Sequence, residues 1–187
     1  IPDGIGLVFG LRALGFKCDQ RIAGYDIFYE LSVRMNCSGG KKVFFLGSTQ
    51  ETLNKIVQKY NLNFPKIEVV GTLSPPFKNY FEDEDKKAIL QAVNSSGADV
   101  LWVGLSSPKQ DIWMHENSKL LSAKLALGIG AVFDFYVGNI RRGPSFVRKL
   151  GLEWLYRLFQ EPRRLWRRTV ISVPLYANLV IIEYISL

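Results

Sequence analysis

Four short apolar runs recur along the first two thirds of the chain: Val43 to Leu46, Ile67 to Val70, Val100 to Val103 and Leu125 to Ile129. Their length and continuity predict buried strands rather than helices. Each run is followed by a glycine, at Gly47, Gly71, Gly104 and Gly130. Between them, Thr49 to Tyr60, Glu82 to Ser95 and Pro108 to Leu121 carry helical patterns. Strand, glycine and helix repeated in this order predict an α/β fold: a Rossmann-like, doubly wound parallel sheet with helices on both faces. In such sheets ligands bind outside the carboxyl ends of the strands, where these glycines lie.

The turns narrow the chemistry. In LGSTQE, Ser48 and Glu51 have the spacing of a capping box, which starts a helix directly after the strand and leaves amide donors facing the sheet edge. An ordinary helix cap and a phosphate cradle both fit that pattern. No GxxxxGK[ST] occurs, and GIGAVF at 128 to 133 departs from GxGxxG because Phe133 stands where the third small residue belongs. Neither a P-loop nor a standard dinucleotide fingerprint is supported. His115 is the single histidine, without an HExxH partner, and reads as a surface or capping residue. Asp83 and Asp85 in FEDEDKK could chelate a divalent ion. Acidic residues just ahead of lysines also suit a helix start, and that assignment is preferred. No metal site and no cofactor are expected.

Composition adds the bounds. A chain of 187 residues, 48% hydrophobic and 22% charged, can bury one sizeable core. Cys18 and Cys37, without a CxxC, read as buried thiols in a reducing compartment. The chain opens on Ile1, and no basic segment followed by an apolar one marks a secretory signal. The net charge of +7 is concentrated: nine Lys or Arg face two Glu between Arg141 and Arg168, and the rest of the chain balances. That stretch predicts an anionic partner, whether phosphate, nucleic acid or an acidic membrane surface.

Within it, GLEWLYRLFQEPRRLWRR combines two tryptophans with five arginines. Pro162 should end one helix and start another. Trp154, Leu155, Leu158 and Phe159 are expected to pack down while the arginines reach a ligand. Tryptophan beside basic residues also suits a membrane interface. The apolar tail from Val170 onward contains Pro174 and Glu183 and barely reaches the ~20 residues of a spanning helix, so a helix lying on a membrane or covered by a partner is expected. Two further groups carry chemical interest. In PDGIG, Asp3 precedes an apolar run from Ile5 to Phe9 that is expected to be buried; the acid is either a helix N-cap or a general base. In GLSSPKQD, Pro108 fits a first helical turn, with Lys109 and Gln110 projecting toward the ligand edge or serving as solvated caps.

Taken in order, PDGIG, RIAGYD, FLGS, LWVGLSSPKQD, GIGAVFDFYVG, RRGP and LEWLYRLFQEPRRLWRR resemble the motifs of the WecG/TagA/CpsF family of bacterial glycosyltransferases. The match spans Pro2 to about Thr169. SSPKQD stands where the family pattern has GAPKQE, and RGP where it has RAP. The family pattern also carries a segment before PDG that is expected to be absent from this sequence.

The resemblance implies an inverting, metal-independent enzyme. It would move a sugar, an N-acetylhexosamine, its uronic acid or a related hexose, from a UDP-sugar to an undecaprenyl-diphosphate-linked saccharide. The product would feed a cell-surface polysaccharide: teichoic acid, common antigen, capsule or exopolysaccharide. Asp3 matches the family's proposed base, Arg21 an active-site arginine, and Lys109 and Gln110 the PKQ motif. Asp134 lies in GIGAVFDFYVG, and Arg157, Arg164 and Arg167 match the C-terminal motif held to close over the diphosphate. The implied layout is a nucleotide-sugar-binding core at 1–150 and a basic, membrane-proximal helical appendage at 151–187. The enzyme would sit at the inner face of the cytoplasmic membrane, with homo-oligomers possible and nucleic acid not a partner. A non-catalytic membrane-peripheral module binding nucleotide sugars or polyanions is the alternative.

Overall fold

The computed structural model describes residues 3–19, 21–78, 80–144, 146–147, 152–160 and 162–186. They form two compact units, residues 24–140 and residues 1–23 together with 141–187.

The first unit is a four-stranded parallel sheet in the order β2-β1-β3-β4. Its elements follow as α2 (Gly24–Ser38), β1 (Lys41–Gly47), α3 (Gln50–Asn63), β2 (Ile67–Leu73), α4 (Asp83–Ser95), β3 (Val100–Gly104), α5 (Lys109–Asn117), β4 (Leu125–Gly128) and α6 (Val132–Val137), after α1 (Ile5–Ala13) of the second unit. The predicted α/β class and all four strands are present. β1 and β3 are the central pair, and their side chains alternate with the period of two that a pleated strand imposes. Val43, Phe45, Val100 and Trp102 pack with α2, α3 and α6, whereas Phe44, Leu46, Leu101 and Val103 pack with α4 and α5. Both faces are covered, so these strands read as continuous apolar runs instead of alternating ones.

The first core is largely aromatic. Phe28 of α2 lies edge-on to Trp102 at 4.9 Å and to Tyr136 at 5.1 Å between ring centroids. Phe45 meets Tyr60 at 5.1 Å in the same edge-to-face manner, which the ring quadrupoles favour. The buried hydroxyls are satisfied in series: Tyr60 Oη donates to Ser32 Oγ at 2.8 Å, and Ser32 donates on to the Phe28 carbonyl at 2.7 Å. Ser32 sits on the buried face of α2 beside Phe28 and Met35. That polar residue interrupts the apolar stripe, which is why α2 has no counterpart among the predicted helices.

Other expectations shift. Gly71 lies inside β2, not after it; a side chain there would run into the Phe44 ring, and the register against β1 slips at this point. α5 stops at Asn117, four residues before the predicted end, where the buried Asn117 amide turns back to donate to the Trp113 carbonyl. Cys37 is exposed and Cys18 half-buried, so neither is the core thiol expected. FEDEDKK does start a helix: Glu82 and Asp85 form a reciprocal capping box at the head of α4.

The second unit holds α1, α7 (Glu153–Gln160) and α8 (Pro162–Ser186). The helix break at Pro162 is as predicted. Only Val8 and Gly10 of α1 are buried, and Phe9 is exposed, so the Ile5 to Phe9 run is not the buried segment expected. α1 packs on α8 at Gly10, where a Cβ would collide with Tyr176 and crowd Val180. In α7 the expectation holds in part: Leu155 and Leu158 are half-buried, but Trp154 and Phe159 are exposed, and among the described side chains the fully buried one is Glu153.

Burial pushes the Tyr60 hydroxyl up to about 12, above the ordinary tyrosine value, and Tyr136 moves in the same direction for the same reason. Because the folded value is the higher one, this contribution is complete below the unfolded value and is lost as pH rises through the folded one. Urea denaturation should therefore show stability falling by roughly 2–3 kcal/mol or more from about pH 10 upward, and Tyr60→Phe should flatten part of that decline.

Candidate active site

In the sheet unit the strand order sets where a ligand crevice lies. From β1 the chain crosses by α3 on one face to β2, and from β3 it crosses by α5 on the other face to β4. Helices leaving adjacent strands on opposite faces open a crevice at the carboxyl ends of β1 and β3, the topological switch point of an open α/β sheet.

At that point the two backbones nearly touch. Gly47 has φ +115°, and a Cβ there would lie 2.5 Å from the Gly104 carbonyl oxygen. Ser48 follows at φ 60°, the left-handed region that a non-glycine residue enters at a cost of about 1 kcal/mol. Its carbonyl accepts from Ser74 Oγ at 2.7 Å. With Ser48 turned this way, the helix cap moves one residue on. Thr49, not Ser48, is the N-cap of α3, and its Oγ1 accepts from the Thr52 amide at 3.2 Å. Glu51 is not part of a box; it pairs with Lys55 at 2.6 Å on the outer face.

The cap extends into a polar network. Thr49 Oγ1 donates to Thr52 Oγ1 at 3.1 Å, and Asn139 Nδ2 donates both to Thr52 Oγ1 at 3.0 Å and to Asp134 Oδ1 at 3.1 Å. Asp134, predicted from its motif, thus shares a cluster with three residues the sequence did not single out. Thr49 and Thr52 have the spacing of a cap. Asn139 carries no sequence signal, since only the αL turn at Gly138 brings it back toward α3.

The PKQ residues take different roles from those expected of a projecting turn. Gln110 is buried; its Oε1 accepts from the Gly130 amide at 3.0 Å, and its amide group fills the space that a side chain at Gly128 would need. It shapes the glycine loop after β4. Lys109 turns to the β2–α4 loop, donating to the Lys78 carbonyl at 2.8 Å with its ammonium 4.6 Å from the Phe81 ring centre. Burial there pushes its pKa down.

The second unit, taken by itself, holds a chain of alternating charges. Arg21 Nε lies 3.7 Å from Asp3 Oδ1, and Arg21 Nη2 donates to Glu153 Oε2 at 2.5 Å. The other oxygen of Glu153 lies 3.5 Å from Arg142 Nε. The Glu153 side chain is 9% exposed and that of Asp3 66%. Asp3 does not cap α1: Gly4 is the N-cap, with no side-chain cap bond. Arg12 braces the segment leading to Arg21 by donating to the Cys18 and Asp19 carbonyls, each at 2.7 Å. Arg157 lies on α7, and Arg164 and Arg167 on α8, but their side chains fall outside the described residues. Among the described residues no three of His, Cys, Asp and Glu are placed to hold a metal ion. His115 lies exposed in the last turn of α5.

The profile of the glycosyl transferase WecG/TagA/CpsF family matches residues 1–187. The chain belongs to this family. It is a glycosyltransferase, on a Rossmann-like α/β fold. It is 35% identical over 181 residues to an N-acetylglucosaminyldiphosphoundecaprenol N-acetyl-beta-D-mannosaminyltransferase of Bacillus spizizenii, covering 97% of this chain and 67% of the relative. It is 32% identical over 186 residues to the protein of the same description from Bacillus subtilis, covering 98% and 68% respectively. No described helix is long and apolar enough to cross a membrane.

Replacing Gly47 by alanine should destabilise the protein by roughly 2–4 kcal/mol, because the left-handed φ and the contact with the β3 backbone both oppose a side chain. Equilibrium urea unfolding measures this. Gln110→Ala should cost about 1–3 kcal/mol by leaving the Gly130 amide without its acceptor, and should speed hydrogen exchange at that amide.

Proposed function

We propose that this glycosyltransferase moves an N-acetylhexosamine, N-acetylmannosamine being the leading candidate, from its UDP-sugar to an undecaprenyl-diphosphate-linked N-acetylglucosamine. The product is an intermediate of a cell-surface polysaccharide. The observation that carries this is similarity over almost the whole chain to two transferases with that donor sugar and acceptor in their names. The switch-point crevice of the sheet unit suits a nucleotide donor, and Asp134 with Asn139 and the α3 cap offers hydrogen-bonding groups for ribose or sugar hydroxyls.

In the proposed reaction Asp3 is the general base. Its carboxylate takes the proton from the acceptor hydroxyl as that oxygen forms a bond to the anomeric carbon. The bond from that carbon to the diphosphate oxygen breaks, its electron pair stays on UDP, and the configuration at carbon inverts. Exposure of Asp3 leaves it accessible to an acceptor, and Arg21 Nε lies 3.7 Å from its carboxylate. Arg157, Arg164 and Arg167 are assigned to the departing diphosphate. A guanidinium binds phosphate oxygens bidentately and stays charged at neutral pH, so it can stabilise the leaving group without a metal.

A lipid-linked acceptor requires access to a membrane surface. The exposed apolar residues of α8, among them Ile171, Val173, Leu175, Leu179, Ile182 and Ile185, support residues 151–187 as an appendage lying on the inner face of the cytoplasmic membrane. The basic residues before them suit anionic headgroups.

The test is UDP release from a panel of UDP-N-acetylhexosamines, with lipid-diphosphate N-acetylglucosamine in anionic vesicles. Turnover is expected to require acceptor and to be highest with the N-acetylmannosamine donor. Asp3→Asn should lower kcat by about 10²–10⁴-fold. Arg164→Ala should lower kcat as well, by losing charge that matters most as the diphosphate departs. Unchanged turnover in Asp3→Asn would refute the base assignment.

A further inference from the structure

We infer that Glu153 is a positioning residue of the transfer reaction, fixing the guanidinium of Arg21 and through it the carboxylate of Asp3. The inference rests on Asp3 being the base.

α7 has Trp154 and Phe159 available for burial, yet both are exposed, and among its described side chains the one fully buried is a carboxylate, Glu153. Burying a charge costs several kcal/mol, and a buried ion pair is often no more stabilising than apolar residues of the same volume. Stability alone therefore gives little reason for the arrangement. Geometry gives a better one.

Each oxygen of Glu153 faces its own guanidinium, Oε2 that of Arg21 and Oε1 that of Arg142. Only the Arg21 contact is a hydrogen bond; Arg142 Nε, 3.5 Å from Oε1, adds an ion pair on the other side of the carboxylate. The guanidinium is itself a rigid planar fork, so anchoring Nη2 of Arg21 at 2.5 Å also sets where its Nε points. That Nε is the atom facing Asp3. At 3.7 Å the Asp3 contact is an ion pair, and its length depends on where that Nε is held. On the far side of Arg21 the guanidinium is anchored by a residue 132 positions away in sequence. Arg12 restrains the same segment through backbone carbonyls but does not touch the Arg21 side chain.

The experiment measures kcat and donor KM at saturating lipid acceptor for wild type, Glu153→Gln, Arg21→Ala and the double variant, with thermal melting as the folding control. Glu153→Gln is expected to lower kcat by roughly ten- to a hundredfold, the scale of an ångström-level misplacement of a reacting group, with donor KM within about twofold of wild type. In the Arg21→Ala background it should have less than about a twofold further effect, because a residue acting through Arg21 has nothing left to act on. Wild-type kcat in Glu153→Gln, or losses that multiply in the double variant, would overturn the inference. Should Glu153→Gln not fold, Glu153→Asp keeps the charge but withdraws it, and the same loss of kcat and the same non-additivity are required of it. An inactive Asp3→Asn beside an unimpaired Glu153→Gln overturns this inference alone. Full turnover in Asp3→Asn overturns both it and the base assignment.

Discussion

A tight backbone approach, where Gly47 at the end of β1 leaves no room for a side chain against the Gly104 carbonyl at the end of β3, sets the geometry around the crevice. No side chain fits between these strands, so the chain must leave β1 by a turn that only a glycine makes cheaply. Ser48 then enters the left-handed region, Thr49 becomes the cap, and the cap recruits Thr52, Asn139 and Asp134. A local steric constraint thereby fixes the chemistry displayed at the edge. The aromatic core behind it, with Phe28, Phe45, Trp102 and Tyr136 in edge contact, holds β1 and β3 rigid enough to keep that approach.

The second unit works by electrostatics more than by packing. Much of its apolar surface is exposed, on α1 at Phe9 and along α8. Its polar centre is the alternating series Asp3, Arg21, Glu153 and Arg142, in which Glu153 and the two arginines are mostly buried and Asp3 is exposed. The buried members satisfy their charges only together. Removing one partner leaves another charge buried without compensation, the most destabilising way to disturb an ion pair. Part of the excess positive charge at 141–168 is accordingly structural, since Arg142 and Arg21 share one buried carboxylate. The arginines further along the chain are those assigned to the diphosphate.

The chain divides into two compact units of different character, 24–140 and 1–23 with 141–187. Buried aromatics dominate the first, whereas the second leaves tryptophan, isoleucine and leucine exposed.

By itself the sequence determined the α/β class, the four strands, the helix break at Pro162 and the acidic start of α4, because these follow from local periodicity and capping that neighbours only reinforce. Its motifs also carried the family, from which the roles proposed for Asp3 and Arg21 derive. What only the tertiary structure decided are the features that depend on distant partners. The cap moved from Ser48 to Thr49 because β3 crowds Gly47. Gln110 went inward because Gly130 needed an acceptor, and Asn139 joined the site through a turn at Gly138. Glu153 displaced the aromatics of α7 from burial because two arginines, one of them 132 residues earlier, converge on it. Hydrophobic patterning ranks a glutamate below a tryptophan for burial, and that ranking fails where charges from separate segments must be neutralised together.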